Sequence, residues 1–236
     1  MHMTEQKTAI IQIENKKLLE EKLYKLRNDN TDTTLENKMV DMFSEALIAH
    51  GKDSNQLRQI SQISKILGQS LGLDSLYCTK LEQAAKIYDV GNIAICKEIY
   101  KKEDSLNFDE FKVVKSHTTL GYEILKFQGF PSTDLGAIIA SEHHEWWDGG
   151  GYPSQKKHKD IDISSRIVAL ADTVGALFRQ RPGRLVWNYE KIVEYIEKRR
   201  GIQFDPDVVE VFLINREAIN EILCTDLEGA PNSWYE

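Results

Sequence analysis

The sequence predicts an all-α fold, on three observations. Apolar residues recur at helical spacing along most of the chain, and no segment shows the alternation of apolar and polar residues that is typical of a strand. Only 5 prolines and 14 glycines occur in 236 residues, which argues against low-complexity or long disordered segments. We therefore expect one sizeable helical domain with a single core, or such a domain with a short appendage.

The N-terminal segment predicts a separate helix. Residues 4–27 place charged side chains around an apolar stripe formed by Ile10, Ile13, Leu19, Leu23 and Leu26. Two interpretations stay open: a helix that mediates dimerisation or linkage, and a helix that packs on its own domain. The polar residues 28–34 indicate a loop and a helix start before Leu35. We expect residues 1–34 to form an N-terminal helix and linker, and residues 35–236 to form the helical domain.

The remaining helices follow in order along the chain. Helical apolar patterns cover residues 39–47, 57–67, 81–87 and 111–125, and Gly72 indicates the end of the second of these helices. Three further segments, 138–144, 163–178 and 189–199, have the same pattern. No internal repeat is present.

Composition and charge exclude several classes of protein. The formal net charge of −7 disfavours a binder of nucleic-acid polymers, which usually has a basic surface. No apolar run approaches the roughly 18 residues that span a bilayer, and the N-terminus lacks a signal-peptide pattern. Cys78, Cys96 and Cys224 form no CxxC pair, so neither a disulfide framework nor a thiolate zinc site is indicated. The sequence thus predicts a cytoplasmic protein without a membrane partner.

Residues 141–153, SEHHEWWDGGGYP, are the most informative segment. Imidazole is a suitable ligand for Zn, Fe, Mn or Ni ions. Adjacent residues on a helix point about 100° apart, so His143 and His144 can converge on one ion only near a helix end or across a wide site. Glu145 or Asp148 could orient an imidazole from behind. A single buried histidine is more often an ordinary core residue, but two adjacent ones flanked by acids and followed by three glycines indicate a metal site.

The segment is similar to the HHE-xx-DGxGYP signature of HD-GYP domains, a branch of the HD phosphohydrolase superfamily. The resemblance runs from about residue 40 to residue 212. Its other blocks, in order, are Lys115-Ser-His117-x3-Gly121, Ala171-Asp172 followed by Ala176-Leu177, Arg181-Pro182 with Arg184, and Phe204-Asp205-Pro206. The resemblance implies an HD-domain helical bundle with a carboxylate–histidine cluster that holds two or three metals and opens cyclic di-GMP or related cyclic dinucleotides.

Carried over by position, the resemblance implies five metal ligands. Asp89 is the carboxylate of the HD pair and bridges metals, and Asp172 ligates a metal from a later helix. The remaining implied ligands are the imidazoles of His117, His143 and His144.

Several positions depart from the family pattern. The HDxGK segment reads Tyr88-Asp89-Val90-Gly91-Asn92, so a tyrosine replaces a histidine ligand and Asn92 replaces the lysine that would hold a substrate phosphate. Asn55 stands where the family has a histidine ligand three residues before an arginine. The acidic ligand of three-metal sites would fall at Gly51, and a further aspartate at Gly175.

These departures predict a degenerate centre. Asp89, His117, His143 and His144 are expected to hold one transition-metal ion (Fe, Mn, Zn or Ni), while the second ion, left with Asp172 and a share of Asp89, is expected to be lost. We therefore expect weak or no phosphodiesterase activity and a regulatory or binding role. Two rival interpretations are an active phosphodiesterase with an altered metal centre and a metal-free helical scaffold.

The resemblance also suggests ligands and partners. A cyclic dinucleotide could bind at Gly151, Tyr152 and Pro153 with Arg181 and Arg184, or a diguanylate-cyclase (GGDEF) domain could contact this loop. Residues 4–27 could form a homodimer. Basic side chains that could gather around an anionic ligand, or form a solvated surface, are Lys156, Lys157, Lys159, Arg179, Arg181 and Arg184. Trp146 and Trp147 could stack on a guanine or pack the loop.

Overall fold

The computed structural model describes residues 32–102, 104–126, 128–179 and 187–225, and within them the fold is helical throughout. The helices are α1 (Asp32–His50), α2 (Ser54–Ser70), α3 (Ser75–Ala84), α4 (Lys97–Tyr100), α5 (Phe108–Lys115), α6 (His117–Leu125), α7 (Pro131–Glu142), α8 (Ile163–Phe178), α9 (Tyr189–Lys198), α10 (Pro206–Ile214) and α11 (Arg216–Cys224). Short 3-10 turns occupy Val90–Ala94 and His158–Asp160. The predicted helix over residues 4–27 lies outside the described residues.

The all-α prediction is confirmed for the described ranges, which contain no strand and only an isolated bridge between Arg200 and Phe204. Among these helices, none is long and apolar enough to cross a lipid bilayer. The first helix begins at Asp32, so the last residues of the predicted linker already belong to α1.

The predicted helix over residues 111–125 is two helices that meet at Ser116. Side chains at the junction bond to backbone carbonyls that a continuous helix would use. The Ser116 hydroxyl donates to the Val113 carbonyl over 2.6 Å, and the Thr118 hydroxyl donates to the Lys115 carbonyl over 2.9 Å. Such local bonds compete with the helical ladder and bend it, which an apolar period does not reveal.

Two apolar clusters form the core, and the functional residues lie where they meet. The larger cluster joins α2, α3, α8, α9, α10 and α11 and includes Ile60, Tyr88, Val174 and Phe212. The smaller cluster contains Phe43, Ile87, Val90 and Leu125. Residues 87–90 therefore contribute to both clusters in turn, which fixes Asp89 at their boundary.

Candidate metal centre

Three imidazoles converge at the centre of the bundle. One ring nitrogen each of His117, His143 and His144 lies within 4.8 Å of the other two. His117 and His143 are buried and His144 is half-buried. The ring centroids of His143 and His144 are 4.1 Å apart, and those of His117 and His144 are 5.1 Å apart.

Helix ends bring these residues together. His117 is the first residue of α6, and His143 follows the last residue of α7, which ends at Glu142 rather than at the predicted His144. Because His144 lies past the helix, it is free of the 100° separation that a regular helix imposes on adjacent side chains. Two neighbouring imidazoles can therefore face one point.

Two of the imidazoles turn bare nitrogens toward each other. Nδ1 of His117 lies 2.6 Å from the Val114 carbonyl oxygen, and Nδ1 of His143 lies 3.0 Å from the Ile139 carbonyl oxygen. A carbonyl only accepts, so we assign the proton of each ring to Nδ1, which leaves an unprotonated Nε2 in each neutral ring. These Nε2 atoms are 3.2 Å apart. Two lone pairs at this distance repel each other, and a cation between them would relieve that repulsion.

The donor set fits one transition-metal ion. Nitrogen ligands at about 2.0–2.1 Å from a tetrahedral metal lie about 3.3–3.4 Å from each other, close to the observed 3.2 Å between the Nε2 atoms of His117 and His143. Bonds from the outer ring nitrogen to a carbonyl are the contacts that fix the tautomer of a metal-binding imidazole. For His117 and His143 backbone carbonyls serve this purpose, and not the carboxylates of Glu145 or Asp148 that were expected to do so.

Glu145 and Asp148 hold the glycine-rich loop. The Glu145 carboxylate accepts the backbone amides of Ser154 and Lys156 at 2.6 and 3.1 Å. The Asp148 carboxylate accepts the amide of Gly150 at 2.8 Å. Both acids thereby satisfy backbone donors of a loop that has no regular structure of its own.

Asp89 faces two of the imidazoles from a separate element. Its Oδ1 lies 3.5 Å from Nε2 of His117 and 3.7 Å from Nε2 of His143. Gly91 permits this approach, since a Cβ there would lie 1.9 Å from the carbonyl oxygen of His117. The 3-10 turn after Asp89 therefore lies directly against the first turn of α6.

The protonation states suit a cationic ligand. Burial lowers the pKa of His143 to about 4, and the neighbouring His117 adds to this shift. Burial, followed by His143 and His117, also holds the pKa of His144 well below its ordinary value. Both rings are therefore neutral near pH 7, as metal ligation requires.

Lys52 is a member of the centre that the sequence pattern did not indicate. Its Nζ donates to Oδ2 of Asp89 over 2.6 Å and lies 3.4 Å from the hydroxyl oxygen of Tyr88. The side chains of Lys52 and Asp89 are only 9% and 10% exposed. Burial would raise the pKa of Asp89, but Lys52, and then His117 and His143, outweigh it and hold that pKa well below its usual range. Asp89 is thus a carboxylate at any ordinary pH.

Asp172, on α8, is bonded to a protein group. Its Oδ1 accepts a hydrogen bond of 2.6 Å from the hydroxyl of Tyr88. Burial raises the pKa of Tyr88 well above its ordinary range, with Asp172 and Asp89 adding to the shift. Tyr88 therefore keeps its proton and donates it to Asp172.

The carboxylates expected to share a second ion are bonded to other protein groups. Asp172 and, in part, Asp89 were the ligands expected for a second ion. Oδ2 of Asp89 is bonded to Lys52, and Oδ1 of Asp172 is bonded to Tyr88. Asn55 is exposed on the first turn of α2, where its backbone amide donates to the capping carboxylate of Asp53. The ammonium of Lys52 and the hydroxyl of Tyr88 thus each donate to one oxygen of these carboxylates.

The other departures from the family pattern occupy tight positions. Asn92 is buried in the 3-10 turn, and its backbone amide donates to the backbone carbonyl of Asp89 over 2.9 Å. Gly175 is buried on α8, with Ile60 of α2 about as close as a side chain there could tolerate. An aspartate at this position would displace core residues.

The signature loop folds back over the histidines. The amide of Tyr152 donates to the His144 carbonyl over 3.0 Å, and the Tyr152 ring stacks on that of His144 at 4.7 Å and 24°. Gly151 is buried, and it leaves no space for a side chain, since a Cβ there would lie 2.3 Å from the backbone nitrogen of Trp146. The Tyr152–Pro153 peptide is cis and Pro153 is exposed. Of the three loop residues predicted to bind a substrate or partner, Tyr152 contacts the centre directly.

Two of the basic side chains expected to gather around an anionic ligand have acidic partners. Lys156 lies 2.5 Å from Glu142, and Arg179 lies 2.8 Å from Asp53. Arg181 and Arg184 lie outside the described residues. Lys115 differs, since its Nζ lies 4.7 Å from the centroids of both the Phe111 and the Tyr152 rings. This ammonium is placed at the edge of the centre, above the ring that stacks on His144.

Trp146 and Trp147 pack the loop. Both are half-buried, and the amide of Trp147 donates to the Gln203 carbonyl over 3.1 Å. The guanidinium of Arg199 lies over Trp146 and that of Arg166 over Trp147. These contacts account for both indoles without a nucleotide.

Comparison with known sequences gives one family. A family model for the HD domain matches residues 35–208. The chain is 36% identical over 164 residues to a cyclic di-GMP phosphodiesterase of Thermotoga maritima, covering 70% of this chain and 45% of that protein. It is 35% identical over 172 residues to the cyclic di-GMP phosphodiesterase response regulator RpfG of Xanthomonas campestris, covering 73% and 46%.

A third relative has a different named substrate. The chain is 30% identical over 208 residues to 3'3'-cGAMP-specific phosphodiesterase 2 of Vibrio cholerae, covering 83% of this chain and 40% of that protein. The chain spans less than half the length of these three relatives.

Solved structures share the fold. An HDG"Y"P protein from Bdellovibrio bacteriovorus superimposes with a TM-score of 0.58 at 17% identity, covering 92% of this chain and 71% of that one. A cyclic GMP-AMP-specific phosphodiesterase of Vibrio cholerae gives a TM-score of 0.52 at 18% identity, covering 85% and 55%.

Proposed function

Because the chain belongs to the HD domain family, we propose that it is a metal-binding domain of cyclic dinucleotide signalling with weak or no phosphodiesterase activity. One transition-metal ion would be held by His117, His143, His144 and Asp89. The observation that carries the proposal is the 3.2 Å separation of Nε2 of His117 from Nε2 of His143, with a carboxylate oxygen of Asp89 facing both atoms.

The substrate class follows from the relatives. The three relatives described above are named as phosphodiesterases of cyclic di-GMP or 3'3'-cGAMP, and both ligands carry two phosphodiesters. A bound divalent ion would polarise a phosphodiester and activate water for attack on phosphorus. The chain's own residues position that chemistry: backbone carbonyls orient the imidazoles, and Tyr152 covers His144.

The weak or absent hydrolysis in this proposal is argued from the residues where a second ion would bind. Phosphodiester hydrolysis is best served by two ions, one at the attacking and one at the leaving oxygen. In this chain the Tyr88 hydroxyl and the Lys52 ammonium are bonded to the carboxylates that would hold the second ion. Asn92 has no charge to offer a phosphate, so a charge-assisted contact of about 1.5–3 kcal/mol is also lost. A site that has lost these groups can still bind a nucleotide even where it no longer hydrolyses it.

An active phosphodiesterase with an altered metal centre is the second candidate. The observation in its favour is Lys52, which keeps a positive charge beside Asp89 where a second ion is missing. In this reading the ammonium compensates for part of the lost transition-state stabilisation. The two candidates differ in turnover and not in metal content.

One experiment tests both candidates. The protein is reconstituted anaerobically with manganese or iron, bound metal is measured by elemental analysis, and hydrolysis of cyclic di-GMP and 3'3'-cGAMP is followed. We expect about one ion per chain, little or no hydrolysis, and loss of the ion in His143→Ala. The matched control is His158→Asn, because His158 is exposed with a positive φ of 51° that asparagine tolerates.

The outcomes separate the interpretations. Rapid hydrolysis that disappears in His143→Ala would replace the first candidate by the second. If the wild type binds no more metal than His143→Ala, only the interpretation as a metal-free scaffold remains. A diguanylate-cyclase partner at the Tyr152 loop and a homodimer through residues 4–27 remain proposals that pull-down with a GGDEF domain and light scattering would check.

A further inference from the structure

We propose that Lys52 is a built-in replacement for a second metal cation, so that this centre combines one metal ion with one fixed ammonium group. The inference rests on the proposed one-ion site and adds a residue to it. Lys52 is conspicuous because a nearly buried ammonium is placed among the residues that resemble a two-metal centre, and no motif of the sequence accounts for it.

The contacts of Lys52 connect both carboxylates of the missing second site. Its Nζ donates to Oδ2 of Asp89 over 2.6 Å and lies 3.4 Å from the hydroxyl of Tyr88. That hydroxyl in turn donates to Oδ1 of Asp172 over 2.6 Å. The carboxylate oxygens that would bind a second ion therefore accept hydrogen bonds instead. Asp89 accepts one from the charged ammonium of Lys52, and Asp172 accepts one from the hydroxyl of Tyr88.

Asp89 divides its two oxygens between the two cations. Oδ1 faces Nε2 of His117 and of His143, at 3.5 and 3.7 Å, on the side where the metal ion is proposed. Oδ2 is bonded to the ammonium of Lys52. A carboxylate that would otherwise bridge two ions thus bridges one ion and one lysine.

The backbone fixes the place of Lys52. Gly51 has a φ of 125°, a conformation that side chains rarely adopt, and the amides of Gly51 and Lys52 both donate to the Leu47 carbonyl, at 3.1 and 3.0 Å. Asp53 then caps α2 and pairs with Arg179. The lysine is held between two anchored residues and enters the centre from a defined turn.

A lysine in this place has a chemical consequence. It supplies a positive charge that can neutralise the carboxylates and attract a phosphate, but it has no empty orbital for a leaving oxygen. The centre should therefore keep its attraction for an anion while it excludes a second metal ion by charge and by volume.

Metal stoichiometry tests the replacement directly. Wild type, Lys52→Met, and Lys52→Met combined with Tyr88→His are titrated with Mn²⁺ and their bound metal is counted after gel filtration. We expect one ion in the wild type and two in the double variant, which gains an imidazole and loses the ammonium. Lys65→Met is the control, because Lys65 pairs with Glu82 at 2.7 Å outside the centre. Two ions in the wild type, or no gain in the double variant, would overturn the proposal.

Unfolding in EDTA tests Lys52 without any metal, so this arm is independent of the proposed function. Removing one partner of a buried ion pair leaves the other uncompensated, and we expect Lys52→Met to lower Tm on the order of 10 °C while Lys65→Met changes it little. Adding Asp172→Asn should cost less in Lys52→Met than in the wild type, because the two groups are linked through Tyr88. Strictly additive effects, or an unchanged Tm in Lys52→Met, would contradict the proposal.

Two further variants keep the test decisive. Lys52→Gln retains a donor to Asp89 without the charge, and it replaces the methionine variant if that one does not fold. Lys52→Arg retains the charge and should keep both the single ion and most of the stability. If the wild type binds no more metal than His143→Ala, the proposed function fails, while the EDTA result still decides whether Lys52 is the cation of this site.

Discussion

The hydroxyl of Tyr88 donates a 2.6 Å hydrogen bond to Oδ1 of Asp172, and this bond ties the segment that carries Asp89 to helix α8. The Tyr88 ring is fully buried and stands edge-on to His143 at 4.9 Å. Tyr88, which stands where the family pattern has a histidine, thus donates a hydrogen bond to Asp172 and packs against His143. Removal of the Tyr88 side chain should therefore lower both the stability of the protein and its uptake of metal.

Tyr88→Phe removes the hydroxyl and leaves the ring in place. Because Asp172 loses a charge-assisted bond, we expect the free energy of unfolding in EDTA to fall by about 1.5–3 kcal/mol. Urea denaturation monitored by circular dichroism measures this change. Tyr189→Phe is the matched control, since its hydroxyl bonds to the Arg216 carbonyl at an exposed site and should cost less. Equal losses in the two variants would contradict the special role of the Tyr88 bond.

Gly91→Ala should damage the centre without touching a ligand. The added Cβ would lie 1.9 Å from the His117 carbonyl oxygen and 2.6 Å from the Gly121 nitrogen, both of which are backbone atoms that cannot turn aside. We expect a loss of at least about 1–3 kcal/mol in stability, as for other overpacked sites, and reduced metal uptake measured by elemental analysis.

Gly175→Ala is the control for that substitution. The nearest atoms to its new Cβ belong to the Ile60 side chain, at 3.3 Å and beyond, and the exchange also favours the helix. We expect metal uptake close to that of the wild type. Similar losses in both variants would mean that general crowding, and not the approach of Asp89 to His117, determines metal binding.

The metal-free protein should lose stability on mild acidification. His143 has a pKa of about 4 when folded and about 6.5 when unfolded, so the unfolded chain binds the extra proton between these values. Stability contributed by the neutral ring is therefore present above about pH 6.5 and is lost as the pH falls toward 4, by on the order of 3 kcal/mol. The lowered pKa of His144 acts in the same direction.

Urea titrations in EDTA between pH 4 and pH 7.5 measure this dependence. His143→Gln has no titrating ring and should show a shallower slope over the same range, whereas His158→Asn should retain the wild-type slope. A slope unchanged in His143→Gln would place the pH dependence elsewhere in the molecule.

We expect Lys115 to contribute to the affinity for a nucleotide and not to the binding of the metal ion. Its Nζ lies 4.7 Å from the Tyr152 ring at the edge of the centre. A charge-assisted contact to a phosphate contributes about 1.5–3 kcal/mol, so we expect Lys115→Ala to weaken cyclic di-GMP binding roughly 10–100-fold in calorimetry. The control Lys198→Ala removes a lysine that is 77% exposed on α9. Equal affinity of the two variants would remove Lys115 from the ligand site.

The signature segment was strongly predictive because its chemistry is local. His143, His144 and the glycines after them lie within thirteen consecutive residues, and their types alone indicated a metal site at a helix end. The same holds for the helices, since a buried face repeats every few residues and can be seen without a partner. The split at Ser116 was missed because hydroxyl groups compete for carbonyls without altering the apolar period.

By itself, the sequence determined the helical class, the family and the residues that could bind a metal, because these depend on residue type and short spacing. Only the tertiary structure decided which groups contact the two carboxylates: Lys52 meets Asp89 across 37 residues and Tyr88 meets Asp172 across 84. Such contacts are set by how two apolar clusters close around residues 87–90. The chemistry of this half of the centre therefore results from packing, which gives an unremarkable lysine a nearly buried carboxylate as its partner.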